Sequence, residues 1–92
     1  LPICTSGQYY INSRNGEKYV TAATAGNVIK ATSFTPENSG KFTFVLVSGS
    51  IYRIRDINGL YWQVQSDGSI KPGSANPSST DKSYQFERAD LT

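Results

Sequence analysis

The chain repeats itself, and that repeat narrows what it can fold into more than any other feature. Tyr9 and Ile11 recur as Tyr52 and Ile54, Asn15-Gly16 as Asn58-Gly59, Tyr19 as Tyr61, Gly26 as Gly68 and Val28 as Ile70. Further on, Pro36 recurs as Pro77, Lys41 as Lys82, and Phe42 with Phe44 as Tyr84 with Phe86. The offset holds at about 41–43 residues, with single-residue shifts confined to turns, and a fixed period of this length marks copies of one supersecondary unit. The copies span about residues 8–47 and 51–89 of a single 92-residue domain.

Each unit reads as short strands divided by tight turns. Residues 8–12 alternate like a half-buried strand, and Arg14-Asn15-Gly16-Glu17 supplies a hairpin turn with a glycine free to adopt positive φ. Residues 18–23 and 28–32 continue as strands around Ala25-Gly26-Asn27, and residues 36–40 form a loop. Residues 41–47 make the most hydrophobic strand, with Phe42, Phe44 and Leu46 on one face. The stretch 51–70 runs strand, Asn-Gly turn, strand, Asp67-Gly68 turn, strand. No segment carries apolar residues at helical spacing over a helical length. The expected fold is all-β, about eight short antiparallel strands in two tandem four-strand units closed into a compact barrel.

Composition excludes several chemistries. The sequence has no histidine, which removes Ser-His-Asp and Cys-His catalysis and imidazole ligation of zinc. A single cysteine, Cys4, cannot form an internal disulfide or a multi-thiolate metal site; it is either a small hydrophobe or half of a disulfide between chains. Nine Lys and Arg are scattered among seven acids, for a net charge of +2, which lacks the clustering that phosphate-backbone binding needs. Glycine turns are not followed by a helix, so no phosphate loop is present. No apolar run approaches the ~18–20 residues of a membrane span. Nucleic acid, membrane insertion, cofactors, metals and catalysis are therefore not expected. Starting on Leu1, the chain is compatible with a processed product, and its location, cytoplasmic or secreted, stays open.

Asn15-Gly16-Glu17-Lys18-Tyr19-Val20 with Phe42-Thr43-Phe44, and Asn58-Gly59-Leu60-Tyr61-Trp62 with Tyr84-Gln85-Phe86, resemble the lobes of a β-trefoil, most closely fascin-type and fungal lectin repeats. A trefoil has three lobes and this chain has two, so the pair either closes into a smaller barrel or uses a partner chain as cover. Small size, tandem trefoil-like units and the absence of histidine also resemble the small α-galactosyl-binding lectins of agaric mushrooms. That resemblance implies galactose-terminated oligosaccharides or glycoconjugates as ligands and a non-covalent homodimer. The Gln-x-Trp motif of ricin-like lectins is missing, so their site cannot be transferred.

Sugar recognition combines an aromatic face for the C–H side of a pyranose with planar polar groups for its hydroxyls. The window 53–67 is the richest in these types. Trp62 stands where the first unit has Val20, and it is either a core residue or a stacking platform at a rim. Tyr61, Gln63 and Gln65 share the other strand face, as a plain polar sheet surface or as a hydrogen-bonding strip. Arg53 and Arg55 lie opposite Tyr52 and Ile54; with Asp56 they form a solvated pair or a hydroxyl-binding set. Asn76 is held extended by Pro77 and could line a pocket or simply turn the chain. The expected function is a non-catalytic galactose-binding lectin. The rival reading is a trefoil-like protease inhibitor that inserts the loops at residues 35–40 and 74–82; a cytoskeletal module of the fascin kind is a third.

Overall fold

A computed structural model of the protein describes residues 6–13 and 18–87. Cys4 and the first Asn-Gly turn lie outside the described residues. Nine strands appear among them: β1 (Ser6–Tyr9), β2 (Asn12–Ser13), β3 (Lys18–Thr21), β4 (Lys30–Ser33), β5 (Phe42–Ser48), β6 (Ile51–Arg55), β7 (Trp62–Val64), β8 (Ile70–Pro72) and β9 (Phe86–Glu87). Two single 3-10 turns, Asn38–Gly40 and Lys82–Tyr84, precede β5 and β9. The protein is mostly β and compact, with a Cα radius of gyration of 12.8 Å.

The strands follow local sequence closely. In β6 the alternation of Tyr52 and Ile54 with Arg53 and Arg55 buries the first pair and leaves Arg53 half-buried and Arg55 exposed. Its antiparallel neighbour β5 matches Phe44 to Ile54 and Leu46 to Tyr52, so the apolar sides of both strands face one way. Gly26 and Gly68 occupy equivalent turns with nearly identical positive φ, 88° and 89°. Only glycine takes such φ values without steric cost, which explains why both copies retain it.

The expected barrel is not what forms. The strands fall into three open sheets: β1-β5-β6-β9, β2-β3-β4 and β7-β8. The four-stranded sheet takes β1 and β5 from the first half and β6 and β9 from the second, so two separate four-strand units are not formed either. Closure needs continuous strand pairing round a ring. Here β1 and β9 lie at opposite edges of one sheet, and the β3–β4 and β7–β8 hairpins meet through a single backbone bond, from the Ile29 N–H to the Ile70 carbonyl (2.9 Å). A two-residue β9 and prolines at 72 and 77 shorten the pairing further. The strand expected over residues 8–12 is also broken, between β1 and β2.

The core is small and aromatic. Phe42, Ile54 and Trp62 form its buried centre, with Ile11, Val20, Ile29, Phe44, Ile70 and Phe86 packed around them. Trp62 meets Phe42 edge-on at 5.2 Å and Phe86 at 6.0 Å between ring centroids. Edge-to-face aromatic pairs contribute about 0.5–1.5 kcal/mol each beyond area burial, a large share for a core of this size.

Candidate functional site

The polar residues of the second half gather where β6 and β7 meet the segment at residues 73–85. Arg53 projects from the outer side of β6. Its Nη2 donates to the Ser78 carbonyl (3.0 Å), and its guanidinium lies 5.9 Å from the centroid of the Tyr61 ring. Tyr61 bridges Arg55 through the backbone and is fixed on the other side by the 73–85 segment. Its N–H donates to the Ser74 carbonyl (3.2 Å), and its carbonyl accepts from the Gly73 N–H (2.7 Å).

Gln63 follows Tyr61 by one strand period and therefore shares its face. Its Nε2 donates to Ser83 Oγ (3.1 Å), and Ser83 Oγ in turn donates to Asp81 Oδ1 (2.6 Å). Gln65 turns back along its own strand, with Nε2 donating to the Gln63 carbonyl (3.0 Å). Arg53, Tyr61, Gln63 and Gln65 thus make one half-buried strip, in which Arg53 Nη2, Gln63 Nε2 and Gln65 Nε2 each donate to a named partner, Arg53 Nε is buried without one, and Tyr61 is held through its backbone. Arg55 stands exposed at its margin. Asn76 is exposed on the covering loop, its N–H donating to Ser74 Oγ (2.9 Å), and no described hydrogen bond joins it to the strip.

Two residues expected at the site lie beneath it instead. Trp62 is 8% exposed, and its ring is enclosed by Phe42 and Phe86, so it cannot serve as a rim platform. Asp56 is 4% exposed, and its Oδ1 accepts from the N–H groups of Asn58 (2.9 Å) and Leu60 (3.0 Å). That carboxylate organises the Asn58-Gly59 turn, the usual role of an Asx side chain, rather than meeting ligand hydroxyls. Both residues support the strip from below: Asp56 sets the turn that delivers Tyr61, and Trp62 anchors β7 in the core.

The covering segment contributes residues that the sequence alone did not single out. Tyr84 is buried, and its hydroxyl oxygen accepts from the Ser74 N–H (2.8 Å). Gly73 lies so close that an added Cβ would sit 2.5 Å from that hydroxyl. Asp81 accepts from both the Ser83 hydroxyl and its N–H, and these bonds hold its carboxyl below the usual carboxylate range. The available signal was the repeat itself, because Tyr84 replaces Phe42 and so adds one hydroxyl to an otherwise matched position.

The surface here is shallow, and among the described residues no enclosed cavity is present. No three His, Cys, Asp or Glu side chains among them are grouped as metal ligands would be, and no described helix is long and apolar enough to cross a membrane. What the strip can do chemically is present a tethered guanidinium and two tethered amides beside a phenol ring to a polyhydroxylated partner. No protein family and no curated protein matches this chain.

Proposed function

We propose that this protein is a non-catalytic lectin that binds galactose-terminated glycans on the strip formed by Arg53, Tyr61, Gln63 and Gln65, with Arg55 and Asn76 at its margins. The observation that carries this reading is the tethering of Arg53 and Gln63 by Ser78 and Ser83 beside the Tyr61 ring. Sugar hydroxyls are discriminated by planar polar groups whose directions are set before binding, since ordering them afterwards costs about 0.5–1.5 kcal/mol per side chain. The sequence resemblance of both halves to trefoil-like lectin lobes supports the same reading, and the resemblance to small α-galactosyl-binding agaric lectins supplies the α-galactosyl preference.

A shallow site for one sugar binds weakly, so two linked sites in a homodimer would raise the avidity. The open edges of three separate sheets offer surfaces for such pairing. A glycan array together with haemagglutination blocked by melibiose tests the reading; an array without galactose-dependent signal overturns it. Titration against papain separates the inhibitor alternative, in which the loops at residues 35–40 and 74–82 would enter a protease cleft.

A further inference from the structure

The first half of the chain carries an aromatic ring that the core does not use. Phe34 is 73% exposed, the most open of the large hydrophobic residues among the described ones. Lys18 Nζ lies 4.9 Å from its ring centroid. With a cation over one face, an exposure this high leaves the opposite face open. The segment that bears the ring is tied locally: Ser33 Oγ accepts from the Thr35 N–H (3.3 Å) and shares its one hydroxyl proton between two alternative acceptors, the Thr35 carbonyl (2.7 Å) and the Glu37 carboxylate. Glu37 keeps a second carboxylate oxygen for a further donor.

We infer that the open face of Phe34 and the Glu37 carboxylate form a second pyranose-binding site, with Lys18 backing the ring from its other face, separate from the strip in the other half, which makes each chain bivalent. An open aromatic face and a carboxylate acceptor on a tied loop are groups a sugar ring engages: its C–H face on the ring, its hydroxyls on the carboxylate. A protein contact is the poorer fit, because hot spots of protein interfaces sit within contiguous apolar surface, and here one ring stands among Thr35, Pro36, Glu37 and Lys18, with charge beside it. The two sites would use different halves of the repeat with different chemistry, one built on Phe34 and one on Tyr61. This inference rests on the lectin reading for its ligand class.

The test is an NMR titration of the full chain with melibiose, following the Phe34 and Tyr61 ring resonances separately, with light scattering on the same samples. Both sets of resonances should move in the parent. Phe34→Ala should abolish the loop response and leave the Tyr61 response intact, Gln63→Ala should do the reverse, and Phe34→Tyr should keep both to within about threefold in affinity. Phe34 is exposed, so its replacement leaves the core untouched. A parent in which only Tyr61 responds overturns this inference and keeps the lectin reading. A response of Phe34 alone keeps the new site and removes the strip. A parent that responds at neither ring overturns both. Conversion of a dimer into a monomer by Phe34→Ala, with no Phe34 response to sugar, would make the ring a contact between copies and overturn the proposal.

Discussion

The β3–β4 hairpin with the loop that follows it and the β7–β8 hairpin with its own loop share a frame and little else. Both turn on a glycine of the same φ, both return through a single 3-10 turn, and both end in a strand that enters the four-stranded sheet. The first copy places Val20 half-buried against the core, leaves Phe34 in solvent and caps its 3-10 turn with no side chain. The second buries Trp62 and Tyr84, ties its loop down through Arg53, Gln63 and Tyr84, and caps its turn with Asp81. The two hairpins therefore share a backbone frame, while side chains at matched positions differ: the second buries Trp62 and Tyr84 and ties its loop to neighbouring strands, and the first leaves Phe34 in solvent.

The sharpest way to break this comparison is in the core. Trp62→Ala removes the ring between Phe42 and Phe86 and should lower stability by about 3–5 kcal/mol. Val20→Ala at the matched position removes less volume from a half-buried site and should cost about 1–2 kcal/mol. Urea midpoints of the two variants measure the difference. Equal losses would mean that the two halves load the core alike, against the asymmetry seen here.

Gly73 gives the next effect. Its added Cβ would stand 2.5–2.8 Å from the hydroxyl oxygen and two ring carbons of the buried Tyr84, whereas at Gly40 the nearest atom is the Val20 carbonyl oxygen at 3.1 Å. Gly73→Ala should therefore displace Tyr84 and cost about 2–3 kcal/mol, with Gly40→Ala nearer 1 kcal/mol. Near-ultraviolet circular dichroism, which reports aromatic packing, should change for the first variant and hardly for the second.

Much of the frame could be read from sequence because it depends on local rules. Alternation placed Tyr52 and Ile54 inward, positive φ accounted for Gly26, Gly59 and Gly68, and the aligned glycines revealed the repeat. Sheet membership could not be read this way. Whether β1 and β5 pair with strands of their own half or of the other half depends on edges that meet over long sequence separation, and a repeat does not specify them. The site divided along the same line. Arg53, Tyr61 and Gln63 came from their position on a face, but Asp56 was misplaced because its turn-forming role competes with the exposure expected of a carboxylate. The Ser78 and Ser83 tethers arise from tertiary contact alone. Trp62 could go either way on sequence, and burial decided for the core.

Tyr84→Phe makes the second half resemble the first, since Phe42 is the matched residue. It leaves the ring in place and removes the acceptor of the Ser74 N–H, for a loss of about 1 kcal/mol. Hydrogen exchange at Ser74 should speed up well beyond the change at core amides. A global loss without that local signature would show that the hydroxyl matters for packing and not for holding the loop.

Acid separates the two 3-10 turns with the smallest effect. Asp81 caps the second turn by accepting from the Ser83 hydroxyl and N–H, while Glu37 at the first accepts from the Ser33 hydroxyl and caps no N–H of its turn. The Asp81 hydrogen bonds lower its carboxyl from the ordinary value of 3.8, so the native state holds the ionised form more strongly than the unfolded chain does. A depressed native value means the stabilisation is fully present above the unfolded value and disappears as pH falls through the native one. The second turn should accordingly loosen below about pH 3.8, seen as a shift of the Ser83 amide resonance and faster exchange there, corrected for intrinsic rates. Asp67, lowered by its own bonds to Ser69, titrates in the same range, so the assignment needs Asp81→Asn, which should remove the Ser83 transition and leave that of Ser69 in place. If Ser83 still titrated in Asp81→Asn, the cap would not be what distinguishes the tethered loop from its twin.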